Sequence, residues 1–247
     1  MLITVKMAKF ITVLSGKGGV GKTTTTINLG LAITRLGCQA IVIDGNLSSP
    51  NLTSHLGASY FPVTIHDVMQ GLHPIQNSVY EHHTGLRIIP ADLSIESMKL
   101  INFEKLREHL QDLHLLTEYV LIDGSPGLGR ETAHLLNITD EVLIVLNPDH
   151  ASLLDAKRLI EFVKKHGKTI SGIIMTRHKK RSYKLRPEEI ERFLGMPILH
   201  KVPDDVRFEK SLHKKTPYLH LYPSKKPSKV YYEVAKMLTG RVEPVKA

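Results

Sequence analysis

The stretch Gly16-Lys17-Gly18-Gly19-Val20-Gly21-Lys22-Thr23 has residue types and spacing that point to chemistry. A glycine, four residues and then Gly-Lys-Thr is the pattern of a phosphate-binding loop. Its glycines let successive backbone N–H groups converge on phosphate oxygens without a Cβ in the way. A helical pattern begins near Lys22 and adds its positive dipole end. Lys22 would then reach the β- and γ-phosphates of a nucleotide, and the Thr23 hydroxyl would ligate Mg²⁺. A plain glycine-rich turn is the competing reading. The context disfavours it, because a short apolar run precedes the loop and helical spacing follows it.

The elements that must position this loop are legible along the whole chain. Phe10–Leu14, Ala40–Ile43, Leu86–Ile89, Tyr119–Ile122, Val142–Leu146, Ile170–Met175 and Ile198–Val202 read as buried strands, short and rich in Ile and Val. Thr23–Leu36, Ser94–Leu113, Ala151–Lys165 and Pro187–Phe193 carry helical spacing between them. Such alternation specifies a parallel sheet with helices on both faces. No linker or repeat interrupts it, so residues 1–247 read as a single domain. Met7 is a second plausible start, residues 1–6 a possible extension, and 240–247 a flexible tail. The 42% apolar and 23% charged residues argue against disorder. No apolar run nears the roughly 20 residues of a membrane span, and Lys17 ends the first apolar stretch too early for a secretory signal. Cys38, the single cysteine, allows no internal disulfide and no cysteine-only metal or iron–sulfur site within one chain. A soluble, cytoplasmic protein is expected.

Lys17 adds information, because the general loop pattern does not require a second lysine. Lys17-Gly-Gly-Val-Gly-Lys-Thr-Thr24 resembles the deviant Walker A motif of the MinD/ParA family of ATPases. Ile41-Val-Ile-Asp44-Gly-Asn46 and Leu121-Ile-Asp123-Gly-Ser-Pro-Gly127 stand where that family has its next two motifs. The likeness continues through Asn147-Pro148, Ile173-Ile-Met-Thr176-Arg177 and Val202-Pro203-Asp204-Asp205, from about residue 9 to about 215. Asn46-Leu-Ser-Ser-Pro-Asn51-Leu and Ser-Pro-Gly-Leu-Gly look most like archaeal MinD-type proteins.

The resemblance implies a P-loop NTPase fold with a mostly parallel sheet of seven or eight strands, and ATP with Mg²⁺ as cofactors. Gly16, Lys17, Gly18, Gly19, Val20, Gly21, Lys22, Thr23 and Thr24 would cradle the nucleotide. Lys17 would act across an ATP-dependent homodimer interface, and Asp44 would sit near the magnesium and the attacking water. Asp123, with Thr23, would hold the metal, and the Gly127 N–H would sense the γ-phosphate. Thr176, Arg177, Pro203 and Asp205 match positions around the adenine, although the family often has Asn where Thr176 stands. At Asn46 the family commonly carries a second aspartate. Two readings follow: Asn46 slows hydrolysis, or Asp44 alone orients the water and Asn46 caps the following turn. The implied function is an ATP-switched dimer that positions partners, as in cell division or partitioning. A metal-cluster carrier ATPase is the alternative, disfavoured by the single cysteine.

Charge separates the chain into two parts. Lys and Arg number 33 against 24 Asp and Glu, a net +9. From Ile160 onward 21 basic residues face 9 acidic ones, giving +12, while the remainder carries −3. The clusters are His178–Lys184, Lys214-Lys215, and Lys225-Lys226 with Lys229. A solvated face, an acidic protein partner, and salt-sensitive nonspecific binding of DNA or another polyanion all fit this asymmetry. Gly240 and Pro244 break a helix in the tail, so an amphipathic lipid anchor there is not expected. His82-His83 lacks a zinc-like companion, and Cys38 reads as a packed small side chain.

Overall fold

In the computed structural model, residues 7–57, 60–94, 103, 106–179 and 185–241 are described. The expected extension 1–6, most of the tail, Lys180–Lys184 and much of Ser94–Leu113 fall outside these residues. The strands are β1 (Lys9–Ser15), β2 (Ala40–Asp44), β3 (Tyr80–Glu81), β4 (Arg87–Ile89), β5 (Tyr119–Pro126), β6 (Glu141–Leu146), β7 (Thr169–His178) and β8 (Ile198–Pro203). They form one sheet in the order β3-β4-β2-β5-β1-β6-β7-β8. Every pairing is parallel except β3 with β4, which is antiparallel at one edge. All seven strands read from the sequence are present. β3 escaped that reading because two residues are too few to show any period.

Burial on both faces explains the near-continuous apolar runs. Along β1, Ile11 and Val13 join one core cluster, while Phe10 and Leu14 join two others on the opposite side. That is the period-2 alternation of a strand covered above and below. Helix α1 (Lys22–Arg35) and the helix Lys226–Thr239 share the first cluster. Gly30 brings α1 against the sheet, since a Cβ there would lie 2.4 Å from Val42 Cγ2. The helix Lys226–Thr239 opens on Pro227 and closes at Gly240 in the left-handed region, φ 69°. Cys38 is buried in the same cluster, as a packed side chain.

The opposite face is covered by Ile65–Met69, Leu106–Leu110, Arg130–Ile138, His150–Lys165 and Pro187–Leu194. The Asp149 carboxylate caps His150–Lys165, accepting from the Ser152 N–H at 2.9 Å. β1 lies between β5 and β6, with α1 on one face and Arg130–Ile138 on the other. That reversal opens a crevice at the carboxyl ends of the strands, where a ligand site is expected in such sheets.

Candidate functional site

The loop 16–21 leaves the carboxyl end of β1 at this crevice and delivers Lys22 as the first residue of α1. Two glycines make its path possible. Gly21 has φ 92°, a conformation that a side chain would strain. At Gly16 a Cβ would stand 2.4 Å from the Asp155 backbone, so only glycine lets the loop lie on His150–Lys165.

Lys22 turns inward, nearly buried. Its Nζ lies 2.7 Å from Asp123 Oδ1, and the Thr23 hydroxyl donates to Asp123 Oδ2 at 2.6 Å. Thr26 supports them, its hydroxyl lying 3.0 Å from the Lys22 carbonyl and 3.3 Å from Asp123 Oδ1. Asp123 is wholly buried, and Asp44 stands beside it as its register partner across β2 and β5. Two carboxylates in one dry site repel. Burial first, and then the Asp123 charge, push the Asp44 pKa up to about 7, against the pull of Lys22 and of backbone N–H donors.

Those donors show what Asp44 does here. Its Oδ2 accepts from the N–H groups of Asn51 and Leu52 at 3.0 and 2.9 Å, and its Oδ1 from Asn46 at 3.2 Å. It therefore holds the loop 45–51 against the strand ends. The Asn46 amide donates to the Ser49 carbonyl, closing the turn 46–49. The Gly127 N–H, which the resemblance directs at a γ-phosphate, is held by the Ser15 carbonyl at 2.9 Å. A sensing role requires that bond to open. Lys17 remains half-exposed, its Nζ 3.9 Å from Asp149 Oδ1.

Two adjoining cavities lie over these groups. One of about 310 Å³ is lined by Gly18, Gly19, Lys22, Thr23, Asn46 and Asn51. The other, about 420 Å³, is lined by Val20, Thr176, Arg177, Pro203, Asp205 and Tyr231. Gly21, Thr24, Arg177 and Leu212 belong to both. The fold thus gathers into one crevice residues from six separate stretches of sequence, 15–24, 46–55, 126, 176–179, 202–212 and 231. On the second side, however, the polar groups are engaged with one another. The Thr176 hydroxyl lies 2.6 Å from the Val20 carbonyl and 2.7 Å from Asn147 Oδ1. Asp205 accepts from Arg207 at 3.0 Å and from the Tyr218 hydroxyl at 2.9 Å. Arg177 holds φ 50°, an uncommon backbone state for a residue with a side chain.

The ParA family profile, described as "NUBPL iron-transfer P-loop NTPase", matches residues 6–239. The chain belongs to the ParA family of P-loop NTPases. An uncharacterised ATP-binding protein of Methanocaldococcus jannaschii is 35% identical over 234 residues, covering 95% of this chain and 89% of that protein. Among solved structures, the cell division ATPase MinD of Pyrococcus furiosus has a TM-score of 0.88 at 28% identity, covering 96% of this chain and 100% of that one. MinD of Pyrococcus horikoshii, complexed with Mg-ADP, has a TM-score of 0.87 at 27% identity, covering 94% and 96%. The archaeal, MinD-like character read from the motifs agrees with these relatives, as does the single α/β sheet.

Two contributors to the site, His55 and Glu131, had little signal in the sequence, and Asn51 entered it only as part of the 46–52 motif. His55 and Asn51 line the first cavity, and burial lowers the His55 pKa. Glu131, in the first turn of Arg130–Ile138, bonds both loops beside the site, yet it reads in the sequence as an ordinary acidic N-terminal turn. The His82 and His83 rings lie together, with centroids 4.0 Å apart. Of the basic clusters, Lys214, Lys215, Lys225, Lys226 and Lys229 are exposed at the ends of neighbouring helices.

Proposed function

We propose that this ParA-family chain is an ATP-driven, Mg²⁺-dependent switch that hydrolyses ATP to ADP and phosphate. It dimerises with ATP in the cytoplasm and positions a partner there. One observation carries the reading: Lys22 Nζ and Thr23 Oγ1 both converge on Asp123, at 2.7 and 2.6 Å, at the mouth of a glycine loop. A hydroxyl beside a carboxylate is the hard-oxygen donor set that suits magnesium. Thr23 and Asp123 would hold the ion, and Asp44 stands close behind them. Bound magnesium supplies compensation for charge on the β- and γ-oxygens. Lys22 exchanges its Asp123 partner for phosphate oxygens. The loop N–H groups orient the phosphates, and Asp44 fixes the loop that closes over them. Little covalent work is asked of the protein, so positioning and charge dominate.

Lys17 supports the dimer reading, since a half-exposed lysine 3.9 Å from Asp149 is held loosely enough to reach a second subunit. The exposed lysines of the C-terminal third support salt-sensitive contact with DNA, another polyanion or an acidic protein. Among the described residues no helix is long and apolar enough to cross a membrane. The iron-transfer wording of the family description raises cluster carriage as an alternative. Its cysteine ligands are the difficulty, because Cys38 is buried in the core.

Light scattering with and without ATP, alongside equilibrium binding of a fluorescent ATP analogue, tests the switch. Wild type should dimerise only with ATP. Lys17→Ala should stay monomeric and keep analogue affinity within about threefold, because the contact it loses lies between subunits. A dimer that forms equally well without nucleotide overturns the proposal.

A further inference from the structure

Two loops flank the site, 45–51 after β2 and 124–129 at the end of β5 and beyond. Each begins directly after one of the buried strand carboxylates, Asp44 or Asp123. A single side chain from a third element joins them. Glu131 Oε1 accepts the Ser48 N–H at 3.1 Å, and Oε2 accepts the Ser48 hydroxyl at 3.1 Å. The same Oε2 accepts the Ser125 hydroxyl. Ser48 and Ser125 are far apart in sequence, and Glu131 belongs to neither loop. An acidic residue in a first helical turn is ordinarily explained by the helix dipole. Here the carboxylate is instead filled by donors from outside the helix. A helix-anchored acceptor with three donors from two loops makes the position of one loop depend on the other.

Neighbouring contacts show that the clasp is placed where it matters. The loop 45–51 is otherwise tied by Asp44 at its start and end, through Asn46, Asn51 and Leu52. Ser48 is its middle, and Glu131 holds that middle. On the other side Thr132, next to Glu131, donates its hydroxyl to the Gly127 carbonyl at 3.2 Å. The same helix turn thus grips the β5 loop twice. A cavity of about 450 Å³ lined by Asn46, Ser48, Ser125, Gly129 and Glu131 opens beside the clasp, leaving room for the loops to part.

We infer that Glu131 is a positioning residue that clasps the two loops together, so that the groups of β2 and β5 act as one unit in hydrolysis. Its carboxylate bonds to Ser48 and Ser125 rather than to Thr23 or Asp123. Releasing it should loosen both loops and misplace the hydrolytic machinery, while phosphate binding by the glycine loop continues.

The test has two arms on the full chain. Hydrogen exchange without nucleotide reads the clasp directly and is independent of the proposed ATPase activity. Glu131→Ala should raise exchange about tenfold or more in both 45–51 and 124–129. Ser125→Ala should raise it about threefold in 45–51, the loop that does not contain the substitution. The second arm rests on the switch reading and measures single-turnover hydrolysis beside affinity for a fluorescent ATP analogue. Glu131→Ala should hydrolyse about tenfold slower with affinity within twofold. Glu131→Gln should recover most of the rate, because its carbonyl accepts the Ser48 N–H and its amide can donate to the serine hydroxyls. Unchanged exchange in either loop of Glu131→Ala overturns the clasp. Affinity and rate falling together, without rescue by Gln, overturns the positioning role. A wild type that neither binds nor hydrolyses ATP defeats the switch reading, and the exchange arm still decides the clasp.

Discussion

The two halves of the crevice are built on different principles. On the side proposed for the phosphates the principal groups are ionisable, buried and bonded to the polypeptide that ends the strands: Lys22, Asp123 and Asp44. On the side proposed for the base the wall is Val20, Pro203 and Tyr231, and its polar members are already engaged, Thr176 with the Val20 carbonyl and Asn147, and Asp205 with Arg207 and Tyr218. A phosphate is recognised by charge and convergent N–H groups, which a short local sequence can supply. A planar base is recognised by shape and a few edge contacts, which must come from strands distant in sequence. A change on the first side should therefore act on ligand binding, and on the second mainly on the fold.

The largest expected effect breaks the phosphate side. Lys22→Ala should weaken binding of a fluorescent ATP analogue by at least about 100-fold, equivalent to about 2.7 kcal/mol for a lost charge-assisted contact. It also leaves two buried carboxylates facing each other without their cation. Binding within tenfold of wild type would remove the main support for the assignment.

A pH titration tests how far the phosphate side depends on its surrounding loop. The His66 ring accepts the Asp92 N–H at 3.0 Å through Nδ1 and reaches the Leu47 carbonyl through Nε2 at 3.3 Å. Burial lowers its pKa below the ordinary 6.5. A histidine depressed in the folded state binds its proton more readily when unfolded. Its stability contribution is therefore full above about pH 6.5 and is lost as pH falls below that value. Protonation forfeits the Asp92 contact, at about 1 kcal/mol. Chemical denaturation at pH 7.5 and 5.5 should show this loss in wild type and a smaller one in His66→Gln. Equal losses in the two proteins would acquit His66.

The base side should answer differently. Asp205→Ala strips the buried Tyr218 hydroxyl of its acceptor and frees Arg207, costing about 1 to 3 kcal/mol of stability. ATP-analogue affinity should fall only about fivefold. A loss as large as that of Lys22→Ala would mean that Asp205 reads the ligand itself, and the contrast between the halves would collapse.

The smallest effect sharpens the role of Asn46. Its amide already closes a turn onto Ser49, so Asn46→Asp should leave single-turnover hydrolysis within about threefold of wild type. An increase of tenfold or more would show Asn46 to be a brake on hydrolysis.

The sequence by itself determined the parallel sheet, because strands covered on both faces must be largely apolar, as Val142 to Leu146 is throughout and Ile11 to Leu14 is apart from Thr12. It also determined the phosphate loop, because Gly16 to Thr23 is contiguous and its pattern is local; Gly16 and Gly21 in particular answer local steric demands. Asp44 and Asp123 each end an apolar run, but their place in a site was legible only through the family resemblance of the motifs around them. The antiparallel β3 was not, since Tyr80 and Glu81 alone carry no period. Tertiary structure alone decided that Asp44 is occupied by Asn51 and Leu52, and that Thr176 bonds Val20 and Asn147. It alone placed Glu131 between Ser48 and Ser125. Those contacts join residues from different elements, and their geometry exists only after the elements pack. Local sequence specifies conformation and polarity, but the partner of a buried polar group is chosen by what the fold brings within about 3 Å of it.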